Sequence, residues 1–295
     1  MIRTLLLVFV FVVSHAFAAS ASDGLIRSIG VPVVDGVVRI DQNRALAGSI
    51  TPGDAPGFPV TISQPGSYRL TGNLTVSDLN TTAIQITADS VTLDLNGFSI
   101  IGPTLCPRSP ATTCPPSGTG TGIEAASDVS TGQPPTGPRG IRVLNGSVRG
   151  VGLFGILLRA DDNVVERVTA SSNAGAGIVA GSVFQSASTG NGSFGIIANI
   201  VRDSTSSQNI GDGIILGVVG PSGGVATGNV SSQNGGFGIA LQLGTATGNT
   251  VFLNSSTGIS ALCPSAIVGN TIVTNGTTAI KTDGDGCTVA NNAAR

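Results

Sequence analysis

Short apolar runs alternate with small and polar residues over most of the chain, and between residues 173 and 280 this pattern repeats. Each repeat starts with Asn, has a small residue four positions later, and continues with Ile. The repeats begin at Asn173, Asn191, Asn209, Asn234, Asn254 and Asn275. Neighbouring Asn residues are 18, 18, 25, 20 and 21 positions apart. A drifting period near twenty indicates a solenoid that accepts insertions in its turns.

The composition of the repeats favours β-strands. Apolar runs such as 196–198 and 214–216 follow the small residue, and runs rich in Val, Ser and Thr precede the Asn. Nearer the amino terminus, Val91, Leu93 and Leu95 alternate with polar residues, which places them on the inner face of a strand. No window has an apolar stripe of helical period long enough for a repeated helix. The sequence therefore predicts an all-β parallel β-helix, right-handed like nearly all parallel crossovers.

The recurrent Asn is predicted to be structural. Each coil has to turn sharply between strands, and Asn tolerates the left-handed backbone that most side chains avoid. In register, the amides of successive coils would hydrogen bond to one another as a ladder. A second set, Asn229, Asn249 and Asn270, lies five residues before three of the ladder positions.

Together with the stretch 65–102 (PGSYRLTGNLTVSDLNTTAIQITADSVTLDLNGFSIIG), these repeats resemble the right-handed parallel β-helix proteins of the pectin-lyase-like superfamily. The nearest resemblance is to secreted bacterial members of unknown function, and it covers roughly residues 50–292. It implies a single-stranded right-handed solenoid. It fixes no activity, because the superfamily contains lyases, hydrolases, esterases, epimerases, adhesins and binding proteins.

The amino terminus has the features of an export signal. Arg3 precedes an apolar segment at 5–13, and Ala-Phe-Ala at 16–18 fits the small-residue rule for cleavage, so residues 1–18 are predicted to be removed. The apolar segment is too short for a transmembrane helix, and no other stretch is long enough. We expect an exported protein, in the periplasm, outside the cell or at its surface. Cleavage would remove His15, the sole histidine, and with it every His-dependent mechanism.

The exported chain is predicted to contain two segments. Residues 19–60 would cap the open end of the solenoid, with one or two helical turns at 40–47. Residues 61–295 would form the β-helix itself. A long loop rich in Pro, Gly, Ser and Thr is predicted to interrupt it at 103–139.

Four cysteines in an exported chain are expected to form disulfides. Cys106 and Cys114 lie eight residues apart within the predicted loop. Cys263 and Cys287 follow the small residues of consecutive repeats, which places them near one edge of neighbouring coils, about 4.8 Å apart in height. This separation suits a disulfide. We therefore predict the bonds Cys106–Cys114 and Cys263–Cys287.

The small number of basic residues argues against nucleic-acid binding. The net charge is −2 and Lys281 is the sole lysine, so we expect no nucleic-acid surface. The neighbours Glu166–Arg167 and Arg202–Asp203 are interpreted as surface ion pairs.

No cofactor is expected apart from a candidate Ca²⁺ site. Asp283 and Asp285 are the candidate ligands, with a tight turn as the alternative because no further acids lie nearby.

Three acids are candidates for catalysis. Asp161 and Asp162 resemble the paired aspartates that supply the acid and the base in polygalacturonase-like hydrolases. The Asn-Thr-Asp, Gly-His-Gly and Arg-x-Lys motifs of those enzymes are absent, and a solvated turn is the alternative interpretation. Glu124, which follows Gly122-Ile123 at an outward position, is the third candidate.

One outward column is predicted to be apolar. The residues directly after the Ile of four successive coils are Leu157, Val179, Ile197 and Ile215. Coils stack about 4.8 Å apart, so the four would form a stripe about 14 Å long. A contiguous apolar patch marks a contact surface, most simply for a second copy of the chain. The alternative is a stripe covered by the 103–139 loop or by a chain terminus.

Two functional classes remain open from the sequence. The leading hypothesis is a secreted, noncatalytic β-helix that binds a polysaccharide or another cell-surface partner, or that serves as a structural module. The alternative is a diverged polysaccharide lyase or glycoside hydrolase, with its site near Asp161, Asp162 and the 103–139 loop.

Overall fold

The computed structural model describes residues 36–106, 114, 117–125, 137–219 and 223–295. The predicted export signal and residues 19–35 of the predicted cap lie outside these ranges. All described residues belong to one structural unit.

The described residues form one short helix and many short strands. In chain order they are β1 (Val37–Ile40), α1 (Gln42–Ala47), β2 (Val60–Ile62), β3 (Gly66–Leu70), β4 (Leu74–Thr75), β5 (Ile84–Ile86), β6 (Val91–Asp94), β7 (Ser99–Ile101), β8 (Ile123–Ala125), β9 (Arg142–Arg149), β10 (Ile156–Leu157), β11 (Val164–Ser171), β12 (Ile178–Val179), β13 (Ser182–Phe184), β14 (Ala187–Thr189), β15 (Ile196–Ala198), β16 (Ile200–Arg202), β17 (Thr205–Ser207), β18 (Ile214–Leu216), β19 (Gly224–Thr227), β20 (Val230–Ser232), β21 (Ile239–Leu241), β22 (Gly244–Thr247), β23 (Thr250–Phe252), β24 (Ile259–Leu262), β25 (Ser265–Val268), β26 (Thr271–Val273), β27 (Ile280–Asp283), β28 (Thr288–Ala290) and β29 (Ala293–Ala294).

The strands build two parallel sheets, one of 19 strands and one of ten. A regular coil contributes two strands to the larger sheet and one to the smaller, as β13, β14 and β15 do. Each strand pairs with its counterpart in the next coil, so that Ile178, Ile196 and Ile214 lie side by side. The chain is a right-handed parallel β-helix of ten coils, and this confirms the predicted fold class.

The recurrent Gly-Ile pair faces the interior. The Ile side chains of successive coils are fully buried, and Ile178, Ile196 and Ile214 each have 0% exposure. At the preceding position the next coil leaves no room for a side chain, because a β-carbon on Gly195 would come within 1.9 Å of Ser206 Oγ. The pair therefore supplies the apolar core and the close approach of neighbouring coils.

Asn209 shows how the ladder positions are bonded. Its backbone N–H and side-chain amide both donate to Asn234 Oδ1, at 3.1 and 2.9 Å. Its own Oδ1 accepts the same two bonds from Asn191. The amide also donates to Ser206 Oγ and to the Ser188 carbonyl. The same pair of bonds joins the coils through Asn173, Asn191, Asn209, Asn234, Asn254 and Asn275.

A second ladder runs through the larger sheet. The backbone N–H and the side-chain amide of Asn229 both donate to Asn249 Oδ1, and those of Asn249 donate to Asn270 Oδ1, at 2.9 to 3.0 Å. Two serines replace Asn in earlier coils. The Ser186 N–H donates to Ser204 Oγ, and the Ser204 N–H donates to Asn229 Oδ1. In chain order, this second ladder contains Ser186, Ser204, Asn229, Asn249, Asn270 and Asn292.

The predicted helical turns form α1. The Asp41 side chain accepts a hydrogen bond from the Arg44 N–H at 3.0 Å, and Gly48 ends the helix with a φ of 72°. Before this helix, β1 already pairs in parallel with β3, so sheet pairing starts inside the predicted cap segment. Among the described residues no helix is long and apolar enough to cross a membrane.

The predicted loop at 103–139 contains one strand of the solenoid. β8 pairs in parallel with β5 and β10, so a coil returns to the smaller sheet within this segment.

Both predicted disulfides are present. Cys106–Cys114 has a Cα–Cα distance of 4.4 Å, and Cys106 Sγ lies 3.5 Å from the Asn173 carbonyl oxygen, which fixes the loop against the ladder. Cys263–Cys287 has a Cα–Cα distance of 4.9 Å and joins the last two coils of the smaller sheet.

Replacement of Asn209 by Leu is expected to lower the free energy of unfolding by about 2–4 kcal/mol, because buried donors on Asn191 and the Ser188 carbonyl lose their partner. Denaturant unfolding monitored by circular dichroism measures this. Asn43→Leu, an exposed site in α1, is the control and should change stability by less than about 0.5 kcal/mol. An Asn209→Leu protein as stable as the parent would contradict a stabilising ladder.

Candidate functional site

One column on the outward face of the larger sheet is rich in charged residues. The residues directly before its positions along the strands, such as Val165 and Val201, are buried, so the column itself points outward. We name it the charged strip, and in strand register it contains Arg39, Arg69, Asp94, Leu144, Glu166, Phe184 and Arg202.

Glu166 connects two guanidinium groups beside the strip. Arg142 Nη2 lies 3.2 Å from Glu166 Oε2, and Arg167 pairs with the other carboxylate oxygen. Arg167 Nε in turn donates to Asn145 Oδ1 at 2.8 Å. The interpretation of Glu166–Arg167 as an ion pair is confirmed.

The network continues toward the amino terminus. Asn145 Nδ2 donates to Asp94 Oδ1 at 3.0 Å, and the other oxygen of Asp94 lies 3.4 Å from Arg69 Nε. Polar side chains are thus linked from β3 to β11. The strip and the residues directly beside it hold four arginines and three carboxylates, which are Arg39, Arg69, Arg167, Arg202, Asp94, Glu166 and Asp203, and Arg142 reaches Glu166 from two residues before Leu144. This local excess of positive charge stands on a protein whose net charge is −2.

A shallow depression of about 430 Å³ lies at the carboxy-terminal end of the strip, and we name it the Phe184 groove. The partly exposed Phe184 ring lies between Glu166 and Arg202, each one coil away, or about 4.8 Å along the solenoid. The lining residues are Arg142, Val164, Glu166, Phe184, Gln185, Arg202 and Asp203.

Arg202 is the guanidinium of the groove that is not committed to a carboxylate. Within the described part of the chain it forms no ion pair, so the interpretation of Arg202–Asp203 as a pair is wrong. Asp203 adopts a left-handed backbone conformation, with a φ of 51°, which turns the chain directly after Arg202. The groove therefore offers an aromatic face, further hydrogen-bonding groups, and the Arg202 guanidinium and Asp203 carboxylate, neither of which forms an ion pair within the described residues.

The structure brings Asp161 and Asp162 together at one arginine outside the Phe184 groove. Arg139 Nη1 lies 3.1 Å from Asp161 Oδ1 and 4.0 Å from Asp162 Oδ1. Glu124 is on the smaller sheet, in register with Gln85 and Leu157, and among the described contacts no ion pair or hydrogen bond joins it to these aspartates or to Arg139. A catalytic role for these three acids stays a prediction.

The candidate Ca²⁺ ligands lie at the last coil. Asp283 Oδ2 is 3.3 Å from Lys281 Nζ, and Asp285 is exposed. No group of three His, Cys, Asp or Glu residues in the described ranges could hold a metal ion. Calcium binding by Asp283 and Asp285 stays a prediction.

The predicted apolar column has the expected register but is not open along its whole length. Leu157 and Val179 are 5% and 7% exposed, and they belong to a buried cluster with Ala176 and Val219. Ile197 packs against the same cluster and, like the next residue of the column, is partly exposed. Val219 comes from the segment after β18, the insertion that lengthens one repeat to 25 residues. The interpretation as an open contact surface therefore does not hold at its first two positions, where the stripe is covered, and association with a second copy through it stays a prediction.

Asp212 is a half-buried acid that sequence reasoning missed. Its Oδ1 accepts a hydrogen bond from the Phe237 N–H at 2.7 Å. Burial raises the pKa of Asp212 above its ordinary value of 3.8, and this hydrogen bond opposes the shift in smaller measure. The available signal was its position directly before Gly213-Ile214, where neighbouring coils carry Phe194 and Phe237.

Comparisons with protein families and with curated proteins found no match to this sequence. Among solved structures, the A-module of the mannuronan C-5 epimerase AlgE4 of Azotobacter vinelandii has a TM-score of 0.53 and 15% identity, over 77% of this chain and 68% of that module. This match shows that the chain shares the parallel β-helix fold of that module. The periplasmic alginate epimerase AlgG (TM-score 0.47, 14% identity, 88% and 82% coverage) and the Dettilon tailspike protein (TM-score 0.37, 17% identity, 79% and 62% coverage) also match. At such identities the likeness shows the fold alone.

Replacement of Asp212 by Asn is expected to raise the melting temperature at neutral pH and to give no gain near pH 3. A raised carboxyl pKa in the folded state means that the protonated form stabilises the fold, and that this contribution is lost as the pH rises through the folded pKa. Asn keeps an oxygen for the Phe237 N–H without the charge. Melting curves from pH 3 to pH 7 measure the difference.

The exposed Asp285→Asn variant controls for the same change in net charge. A melting difference between Asp212→Asn and the parent that is equal at both ends of this pH range would contradict the raised pKa.

Proposed function

We propose that this protein is an exported, noncatalytic β-helix that binds a carboxylate-bearing glycan in the Phe184 groove. The observation that supports this most is the placement of the Phe184 ring between Glu166 and Arg202, which forms no ion pair in the described part of the chain, in a depression of about 430 Å³. Concave sites with an aromatic surface and a few convergent polar groups are typical ligand sites.

The groove suits the two faces of a sugar acid. A pyranose ring presents an apolar C–H surface that stacks on an aromatic ring such as Phe184. Its carboxylate would accept paired hydrogen bonds from the planar fork of Arg202. The excess of guanidinium groups along the charged strip would attract an acidic polymer in spite of the negative net charge of the protein.

Two further observations support an exported glycan-binding protein. The AlgE4 module, by its name, acts on mannuronan, which is a polyuronate, and it shares the fold of this chain. The two disulfides fit an oxidising compartment, as the predicted export signal requires.

The noncatalytic assignment depends on the bonding of the acids. Glu166, the acid beside Phe184, is engaged by Arg142 and Arg167. Asp161 and Asp162 share Arg139 at a different place on the surface. Cleavage of the export signal would leave the chain without His. A diverged lyase or hydrolase remains the alternative, and it would release unsaturated uronates or new reducing ends.

Binding of mannuronan and galacturonan oligosaccharides, measured by titration calorimetry, tests the proposal. We expect Phe184→Ala and Arg202→Gln each to weaken binding about tenfold, which corresponds to roughly 1.4 kcal/mol. Affinity should also fall as salt is added, because the pair at Arg202 is exposed to solvent. Incubation of the parent with polymer should release no products.

Two variants that remove the same residue types outside the groove test whether the weakening is specific to it. Phe252→Ala removes a partly exposed Phe from another column, and Arg159→Gln removes an exposed guanidinium outside the groove. Both should bind as the parent does. Failure of the parent to bind any uronate, or equal weakening by the control variants, would refute the groove as the site. Product release would refute the noncatalytic assignment.

A further inference from the structure

A second outward column, at the edge of the smaller sheet, contains aromatic residues in alternate coils. Its members occupy the position directly before the small residue of the repeat, and the pairing of the following strands puts them in register. We name it the aromatic track, and in coil order it contains Phe154, Ala176, Phe194, Asp212 and Phe237.

The spacing of the rings along the track is regular. Phe154, Phe194 and Phe237 are two coils apart, which is about 10 Å along the solenoid axis. All three rings are partly exposed. Phe is scarce in this protein, with ten in the whole sequence and three of those inside the predicted export signal, so three on one column is a concentration.

The surrounding residues hold two of the rings in place. Phe154 and Phe194 pack against the buried cluster that contains Val179 and Val219. The Phe194 ring also lies against the backbone of the next coil, because a β-carbon on Gly211 would come within 2.8 Å of it. Rings fixed in this way lose little conformational entropy when a ligand stacks on them.

The positions between the rings are small or polar. Ala176 is 1% exposed and belongs to the buried cluster against which Phe154 and Phe194 pack, and Asp212 lies between Phe194 and Phe237. Asp212 Oδ1 is used by the Phe237 N–H, and within the described residues no hydrogen bond is formed by its other oxygen. A carboxylate oxygen in this place can accept a hydrogen bond from a ligand hydroxyl.

We infer that the aromatic track binds an extended, neutral β-1,4-linked polysaccharide that lies parallel to the solenoid axis. In such a chain each sugar is flipped relative to the one before, so every second ring presents the same face. One sugar per coil would therefore place alternate rings on Phe154, Phe194 and Phe237. The sugars between them would lie over Ala176 and Asp212. This inference is independent of the uronate site proposed for the Phe184 groove.

The charge at Asp212 selects a neutral chain. A uronate at this place would bring a second carboxylate beside Asp212, and like charges at short distance repel. Hydroxyl groups of a neutral sugar would donate to it instead. The aromatic track and the Phe184 groove are thus expected to prefer different polymers.

Titration with cello-oligosaccharides of increasing length tests the inference. Three sugars are needed to reach two rings, and five are needed to reach all three. We therefore expect affinity to rise in steps at the trisaccharide and at the pentasaccharide. Maltohexaose contains the same sugar in a coiled, α-linked chain and should bind at least about tenfold more weakly than cellohexaose.

Variants separate stacking from packing. Phe194→Leu keeps apolar contact with the buried cluster but lacks a flat face, and it should weaken cellohexaose binding about tenfold with little change in the melting temperature. Phe237→Ala, outside that cluster, should leave the trisaccharide affinity unchanged and abolish the pentasaccharide step. Phe184→Ala should bind cellohexaose as the parent does.

Three results would overturn the inference. They are no cellohexaose binding by the parent, equal binding of maltohexaose, and an unchanged length profile in Phe237→Ala. Loss of cellohexaose binding in Phe184→Ala would instead assign the neutral glycan to the groove, and would also reject a separate track.

Discussion

Hydrogen bonding between stacked coils is the constraint on which the rest of this structure depends. At each step from one Asn to the next, the amide oxygen accepts two N–H groups from the preceding coil, as Asn234 does from Asn209. These bonds lie in the interior, where an unpaired polar group costs about 1–3 kcal/mol, so a coil that slips by one residue is strongly disfavoured. The fixed spacing converts positions along the repeat into straight columns on the surface.

Two of those columns differ in chemistry although they share one scaffold. The charged strip leads to a groove around Phe184 that includes the Arg202 guanidinium. The aromatic track places rings in alternate coils beside a half-buried carboxyl, Asp212. A rigid solenoid presents such columns at the same interval as the coils themselves, about 4.8 Å, and this suits it to polymeric ligands with a regular repeat.

The repeat made the fold predictable, whereas the sites depended on contacts that the sequence does not display. The Asn and Gly-Ile positions recur in register, and so the sequence repeat predicted both the ladder and the apolar core. Beside the charged strip, a hydrogen bond joins Asn145 to Asp94, 51 residues earlier and on the other side of the 103–139 insertion. The sequence repeat does not predict this contact. Val219, which joins the buried cluster of Leu157 and Val179, lies in a turn insertion whose path the sequence repeat does not predict.

A crystal structure of the protein with a mannuronan oligosaccharide tests the central claim most directly. The account predicts a sugar ring stacked on Phe184, with its carboxylate bonded to the Arg202 guanidinium, and an unoccupied aromatic track. An oligosaccharide bound along Phe154, Phe194 and Phe237, or at Asp161 and Asp162 with a cleaved linkage, would contradict it.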